Sequence, residues 1–163
     1  MNYHIEPTGE EHIEGFWKVL DSVAREKKYI AFTEGPSMDR LTQFIQSNIG
    51  KNPTFVVIAD ERVVGWCDVT PISRTIMAHV GELGMGLMDG YREQGIGSVL
   101  MQTALHAARK QGLTRIALTV LEGNERAMQF YKKFGFEQEG VFRKHARIDG
   151  RYLDVIAMGL LFE

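Results

Sequence analysis

The stretch Asn124-Glu125-Arg126-Ala127-Met128-Gln129-Phe130-Tyr131-Lys132-Lys133-Phe134-Gly135-Phe136 spells out a helix with both ends marked. Asn124 is a residue type whose side-chain oxygen accepts the orphan amides of a first turn. Ala127, Phe130, Tyr131 and Phe134 repeat at helical spacing and give one apolar face, and Gly135 supplies the stop. Asn124 and Tyr131 stand two helical turns apart, so their side chains lie along one face and can share one ligand. Taken alone, Asn124 is equally a plain cap and Tyr131 a plain core residue.

Working outward, residues 115–120 read as a strand with Ile116, Leu118 and Val120 on one face. Upstream of it lies the clearest helix in the chain, with Ile96, Val99, Leu100, Thr103, Ala104, Ala107 and Ala108 at three-four spacing until Gly112. A strand at 78–88 precedes that helix, and its Gly81, Gly84 and Gly86 imply close approach by another group. Strands at 54–59 and 62–70 flank the turn Asp60-Glu61. Two helices come earlier. One is expected after Ser37, with Met38, Leu41, Phe44, Ile45 and Ile49 inward and Gly50 and Pro53 ending it. The other is expected to open on a capping box of Thr8 and Glu11, to bury Ile13, Phe16, Trp17, Leu20 and Ala24, and to close on Lys27 and Lys28. A short strand at 3–6 precedes it. Downstream, strands at 136–148 and 151–161 flank Asp149-Gly150, a dipeptide suited to the positive φ angles of a tight hairpin. The fold class is mixed α/β, α+β-like, with about seven strands and four helices.

Bulk properties narrow the function. The 163 residues, 44% hydrophobic and free of repeats or low-complexity linkers, suit one domain over 1–163. Lys plus Arg number 19 against 21 Asp plus Glu, a net charge of -2. Neither a nucleic acid nor an anionic membrane is favoured as partner by that balance. The single Cys67 cannot form an internal disulfide, and the five histidines show no ligand spacing, so no metal is expected. No apolar stretch approaches membrane-spanning length, and the polar, acid-bearing N-terminus does not resemble a signal peptide. A cytoplasmic setting follows as the expectation.

Arg92-Glu93-Gln94-Gly95-Ile96-Gly97-Ser98 puts two glycines where the 96–112 helix begins, and unpaired amides with the positive dipole end can hold a phosphate there. It is not the dinucleotide fingerprint, because Leu100 occupies the third glycine position, nor a nucleoside-triphosphate loop, because no Gly-Lys-Ser/Thr follows. Arg-x-x-Gly-x-Gly after a strand resembles the acetyl-CoA pyrophosphate loop of the GNAT superfamily of N-acetyltransferases. The run from Asn124 to Phe136 resembles that family's Asn-x-x-Ala-x-x-x-Tyr-x-x-x-Gly-Phe signature, and it falls after the strand where the family places it. The resemblance extends over about residues 54–161, with the N-terminal helices also in family order.

That resemblance implies a GNAT fold with a mostly antiparallel twisted sheet that splays at its fourth strand, near Leu87 and Met88. It also implies acetyl-CoA as co-substrate. The amides of Gln94, Gly95, Ile96, Gly97 and Ser98 would hold the pyrophosphate, with Arg92 as a supplementary cation, and Asn124 would contact the CoA arm. Leu87 and Met88 would offer backbone groups to the pantetheine and the acetyl, a fixed amide there stabilising a tetrahedral oxyanion. Tyr131 would protonate the leaving thiolate.

An aliphatic amine with a pKa near ~10 cannot attack until a proton is removed. Glu82 is the candidate base, Asp68 on the preceding strand its rival, and a water relay the third option. The acceptor side, where Tyr29, Phe32 and Glu34 meet the final hairpin, carries no decisive pattern. Residues 135–140 and 147–154 resemble the branch that holds amino-acid, phosphinothricin-type, ribosomal-protein and polyamine acetyltransferases. The favoured acceptor is a small-molecule amine such as an amino acid, because no charged tract is present for docking a protein tail. Protein N-termini, polyamines and a non-catalytic acyl-CoA sensor are the alternatives. The edges of the final strands admit a homodimer.

Overall fold

A computed structural model describes all of residues 1–163. The strands are β1 (Tyr3–Pro7), β2 (Thr54–Ala59), β3 (Arg62–Pro71), β4 (Val80–Leu87), β5 (Arg115–Leu121), β6 (Glu137–Ile148) and β7 (Arg151–Leu161). The helices are α1 (Ile13–Arg25), α2 (Met38–Asn48), α3 (Ile96–Lys110) and α4 (Glu125–Lys133). They form one sheet in the order β1-β2-β3-β4-β5-β7-β6. Every neighbouring pair is antiparallel except β4 with β5.

Because successive strand residues point to opposite faces, each strand feeds two cores. On one face Cys67, Val69 and Leu83 pack with Leu100, Met101 and Ala104 of α3 and Met128 of α4. On the other, Val56 and Trp66 pack against Phe16, Val19, Leu41 and Ile45 of α1 and α2. Burial of each such large side chain contributes about 1.5–3 kcal/mol. The sheet is therefore covered on both sides, with α3 and α4 on one and α1 and α2 on the other.

Local deviations from the sequence expectation have local causes. The Thr8 and Glu11 capping box does not form. A 3-10 turn spans Glu10–His12, and the His12 ring accepts the Gly9 amide at 2.8 Å through Nδ1, taking the place of a hydroxyl cap. The strand expected from 78 begins at Val80, because Thr75–Met77 form a 3-10 turn whose C-cap is Ala78. Phe136 is a buried core residue ahead of β6, its amide bonded to the Tyr131 carbonyl across Gly135, whose φ is +94°. The second helix has its expected cap, with the Ser37 hydroxyl accepting the Arg40 amide at 3.3 Å. The Asp149-Gly150 turn has φ values of 50° and 79°, as a tight hairpin requires.

Candidate active site

β4 and β5 run together only briefly. Their ladder consists of Val80 with Arg115, Gly81 with Ile116 and Glu82 with Ala117. Beyond Glu82, β4 continues on β3 alone, out to the pair Gly65 and Leu87. The Met88 amide donates to the Val64 carbonyl at 2.9 Å. Backbone polar groups alternate in direction along an antiparallel pair, so Leu83, Met85 and Leu87 turn theirs away from β3, toward the parting from β5. The splay thus starts at Leu83, four residues before the position expected from sequence.

α3 begins beside this parting. Its N-cap is Gly95, at φ +82°, a left-handed conformation that glycine adopts without strain, and no side chain caps the turn. Its first amides and positive dipole end are consequently free to meet an anion. The parting, the α3 N-terminus and one face of α4 enclose a cleft of about 630 Å³.

Leu87, Arg92, Gly95, Gly97, Ser98, Asn124 and Tyr131 all line that cleft, so the two sequence motifs converge on one space. Four of the other candidates do not line it. Met88 has its amide occupied by Val64 and its side chain packed in the α1/α2 core. The Ile96 side chain is buried under α3, which leaves only its backbone for a ligand. Gln94 folds back, its side-chain amide donating to the Gly90 carbonyl at 2.7 Å. Glu82 is exposed, in the part of β4 still joined to β5, opposite Thr70.

Arg92 lines the cleft but its guanidinium is engaged elsewhere. It donates to both oxygens of Glu26 at 2.9 and 2.6 Å and through Nε to the Leu87 carbonyl at 2.9 Å, and it lies over the Tyr29 ring at 4.5 Å. It fastens the end of α1 to the end of β4. Two further cations that motif reading missed line the cleft: Arg126, paired with the exposed Glu93 at 2.7 Å, and Lys133. A signal for them was available, since 126 and 133 repeat the seven-residue spacing of Asn124 and Tyr131.

Asn124 caps α4, its Oδ1 accepting the Ala127 amide at 3.2 Å. The cap uses the oxygen only and leaves the Nδ2 donors for the cleft. Tyr131 packs edge-on against Phe130 and Phe136 with centroids 5.5 and 5.8 Å away. Burial, and secondarily the Cys67 thiol, push its phenol well above the ordinary tyrosine range, so it stays protonated at neutral pH. Asp68 points to the opposite face from Cys67. Burial raises its carboxyl to about 7, with the flanking Trp66 and Thr70 partly opposing the shift.

The model of the Acetyltransferase (GNAT) family matches residues 17–136. The chain belongs to the GNAT family. The parted strands, glycine-opened helix and Asn124-to-Tyr131 face are the GNAT features described above. The L-amino acid N-acetyltransferase AaaT of Escherichia coli K12 is 33% identical over 104 residues, covering 63% of this chain and 64% of AaaT, less than two thirds of its length. The phosphinothricin N-acetyltransferase of Streptomyces coelicolor is 23% identical, covering 93% of this chain and 91% of that protein. A Sinorhizobium meliloti GNAT phosphinothricin acetyltransferase solved with acetyl-CoA superposes with a TM-score of 0.91 at 16% identity, over 99% of this chain and 89% of that one. A ribosomal-protein-alanine N-acetyltransferase of Brucella melitensis gives 0.90 at 20% identity, over 98% and 99%. At such identities the two structures bear on the fold alone.

Proposed function

We propose that this GNAT acetyltransferase moves the acetyl group of acetyl-CoA to the primary amine of a small molecule, an amino acid or a related metabolite. The observation that carries the reading is the convergence of Tyr131, Asn124 and the uncapped α3 N-terminus on the gap that β4 and β5 leave open. The first amides of α3, from Gly95 to Ser98, suit a pyrophosphate, with Arg126 and Lys133 as the cations beside it. Asn124 Nδ2 is a donor for the pantetheine arm. Acetyl-CoA supplies an activated thioester whose carbonyl oxygen becomes negative on attack, and the outward-facing amides of Met85 and Leu87 are fixed donors for that charge. Tyr131, half-buried and protonated, gives its proton to the departing sulfur.

Support for an amino-acid-like acceptor comes from the amino-acid and phosphinothricin acetyltransferases among the relatives. No helix is long and apolar enough to cross a membrane. The test is thiol release from acetyl-CoA with a panel of amino acids, polyamines and short peptides. Turnover concentrated on amino-acid-like amines is the expected result. Turnover on peptides alone would move the assignment to protein N-termini, and failure of acetyl-CoA to raise the melting temperature would remove the reading altogether.

A further inference from the structure

The three alternate residues Glu82, Gly84 and Gly86 of β4 face the α1/α2 side, and two of them have no side chain. What covers them comes from β3. Trp66 is opposite Gly86, and a Cβ added at Gly86 would sit 2.5 Å from its ring; Asp68 is opposite Gly84, where a Cβ would sit 3.2 Å from Oδ1. The indole and the carboxylate therefore lie directly on the β4 backbone. The other edge of that same backbone, at Met85, Gly86 and Leu87, lines the cleft. Tyr131 lies near Cys67, the chain neighbour of Asp68, on the opposite face of the sheet. A protonatable carboxyl and a protonated phenol thus approach adjacent residues of β3 from opposite sides.

Asp68 takes part in none of the molecule's ion pairs. Its hydrogen-bonding partners are neutral groups alone, the Thr70 hydroxyl at the long limit of 3.5 Å and the Trp66 indole beside it. A half-buried carboxylate with so little compensation has capacity for a cationic partner. Glu82, exposed at the closed end of the β4–β5 ladder, lies before the splay.

We infer that Asp68 is the general base of the reaction and receives the acceptor ammonium on the α1/α2 face of the splayed strand. The inference rests on the acetyltransferase reading and deepens it. Asp68 takes one proton from R–NH3+, and the amine nitrogen then bonds to the acetyl carbon. The tetrahedral adduct collapses with cleavage of the C–S bond, the sulfur taking a proton from Tyr131. The nitrogen sheds its second proton to water, Tyr131 is reprotonated from water, and Asp68 releases its proton to solvent. The net products are R–NH–acetyl, CoA thiol and one proton. A carboxyl titrating at about 7 is matched to this task, since it is half ionised at neutral pH yet basic enough to accept. No charged group contributes to that value.

The experiment compares the unaltered protein with Asp68→Asn, measuring kcat/KM against pH, acetyl-CoA affinity by calorimetry, and melting temperature. Asp68→Asn should lose about 10²- to 10⁴-fold in kcat/KM, and its rate should rise log-linearly with pH as free amine accumulates. Acetyl-CoA affinity should stay within about two-fold, and an intact melting transition separates lost chemistry from lost fold. An acceptor analogue of low pKa, such as an O-alkylhydroxylamine, is already neutral at pH 7 and should lose far less. Full activity in Asp68→Asn, or a limb near 7 that vanishes in Glu82→Gln instead, would overturn the inference while leaving the transferase intact. No turnover in the unaltered protein across the panel would sink the parent reading and this one with it.

Discussion

The two faces of β4 are built on opposite plans. Toward α3 and α4 the strand shows Leu83, Met85 and Leu87, which join a large apolar core, and its backbone beyond Glu82 is left without β5. Toward α1 and α2 it shows Glu82 and two glycines, on which Trp66 and Asp68 of β3 lie flat. In the function proposed above, the first face would recognise a co-substrate through main-chain groups and helix dipole, a geometry many side chains would support. The second is shaped by the side chains of a neighbouring strand. Chemistry on the cofactor face should therefore fail by loss of one group, whereas the acceptor face should fail by displacement.

The sharpest test of that contrast is Tyr131→Phe. The ring and its packing on Phe130 and Phe136 remain while the proton donor goes. A fall in kcat of about 10²- to 10⁴-fold with acetyl-CoA affinity little changed is expected, read from thiol release and calorimetry. A proportional loss of affinity would make Tyr131 a binding residue instead.

The acceptor face should show itself in stability. An aspartate titrates near ~3.9 in an unfolded chain and Asp68 near about 7 in the native one. Between these values the native state holds a proton the unfolded state has lost, so stability drains as pH rises through this window. The loss is at most about 4 kcal/mol. Asp68→Asn removes the ionisation. Its melting temperature should exceed that of the unaltered protein at pH 8 and match it near pH 4. A variant less stable at pH 8 would show that the carboxylate is held by compensating contacts. On the same face, Gly86→Ala brings a Cβ to 2.5 Å from the Trp66 ring and should cost about 1–3 kcal/mol through the displaced indole.

The asymmetry also explains what could be read from sequence. Periodicity locates all seven strands and four helices because one covered sheet imposes its alternation on every strand. The cofactor face is legible since its parts are local: Gly95 and Gly97 at a helix start, Asn124 and Tyr131 two turns apart. Arg92 lines the cleft as its loop motif suggests, whereas its pairing with Glu26, 66 residues away, is announced by nothing local. Asp68 and Gly84 are brought together only by the β3–β4 register, which spacing along one strand cannot reveal. The start of the splay at Leu83 was equally hidden, being a property of where β5 leaves rather than of β4.

Arg92 offers the next test. With Glu26 it forms a half-buried bidentate pair that also holds the Leu87 carbonyl, so Arg92→Ala should cost about 1.5–3 kcal/mol of stability. Glu26→Gln should recover part of that loss in the double variant, as the coupling energy of a cycle. Acetyl-CoA affinity should change less than in Arg126→Ala, where the cation beside the α3 N-terminus is removed. The reverse ranking would return Arg92 to the pyrophosphate.

The smallest effect separates two jobs held by one side chain. Asn124 caps α4 through Oδ1 and lines the cleft, its Nδ2 not used by the cap. Asn124→Ala removes both and should cost about 1 kcal/mol of stability together with acetyl-CoA affinity. Asn124→Ser keeps an oxygen for the Ala127 amide but has no amide donor, so it should restore the stability and leave the affinity low. If serine restores both, the cofactor face owes Asn124 nothing beyond the helix it starts, and recognition of the CoA arm passes to backbone groups alone, which is the limiting form of the plan inferred for that face.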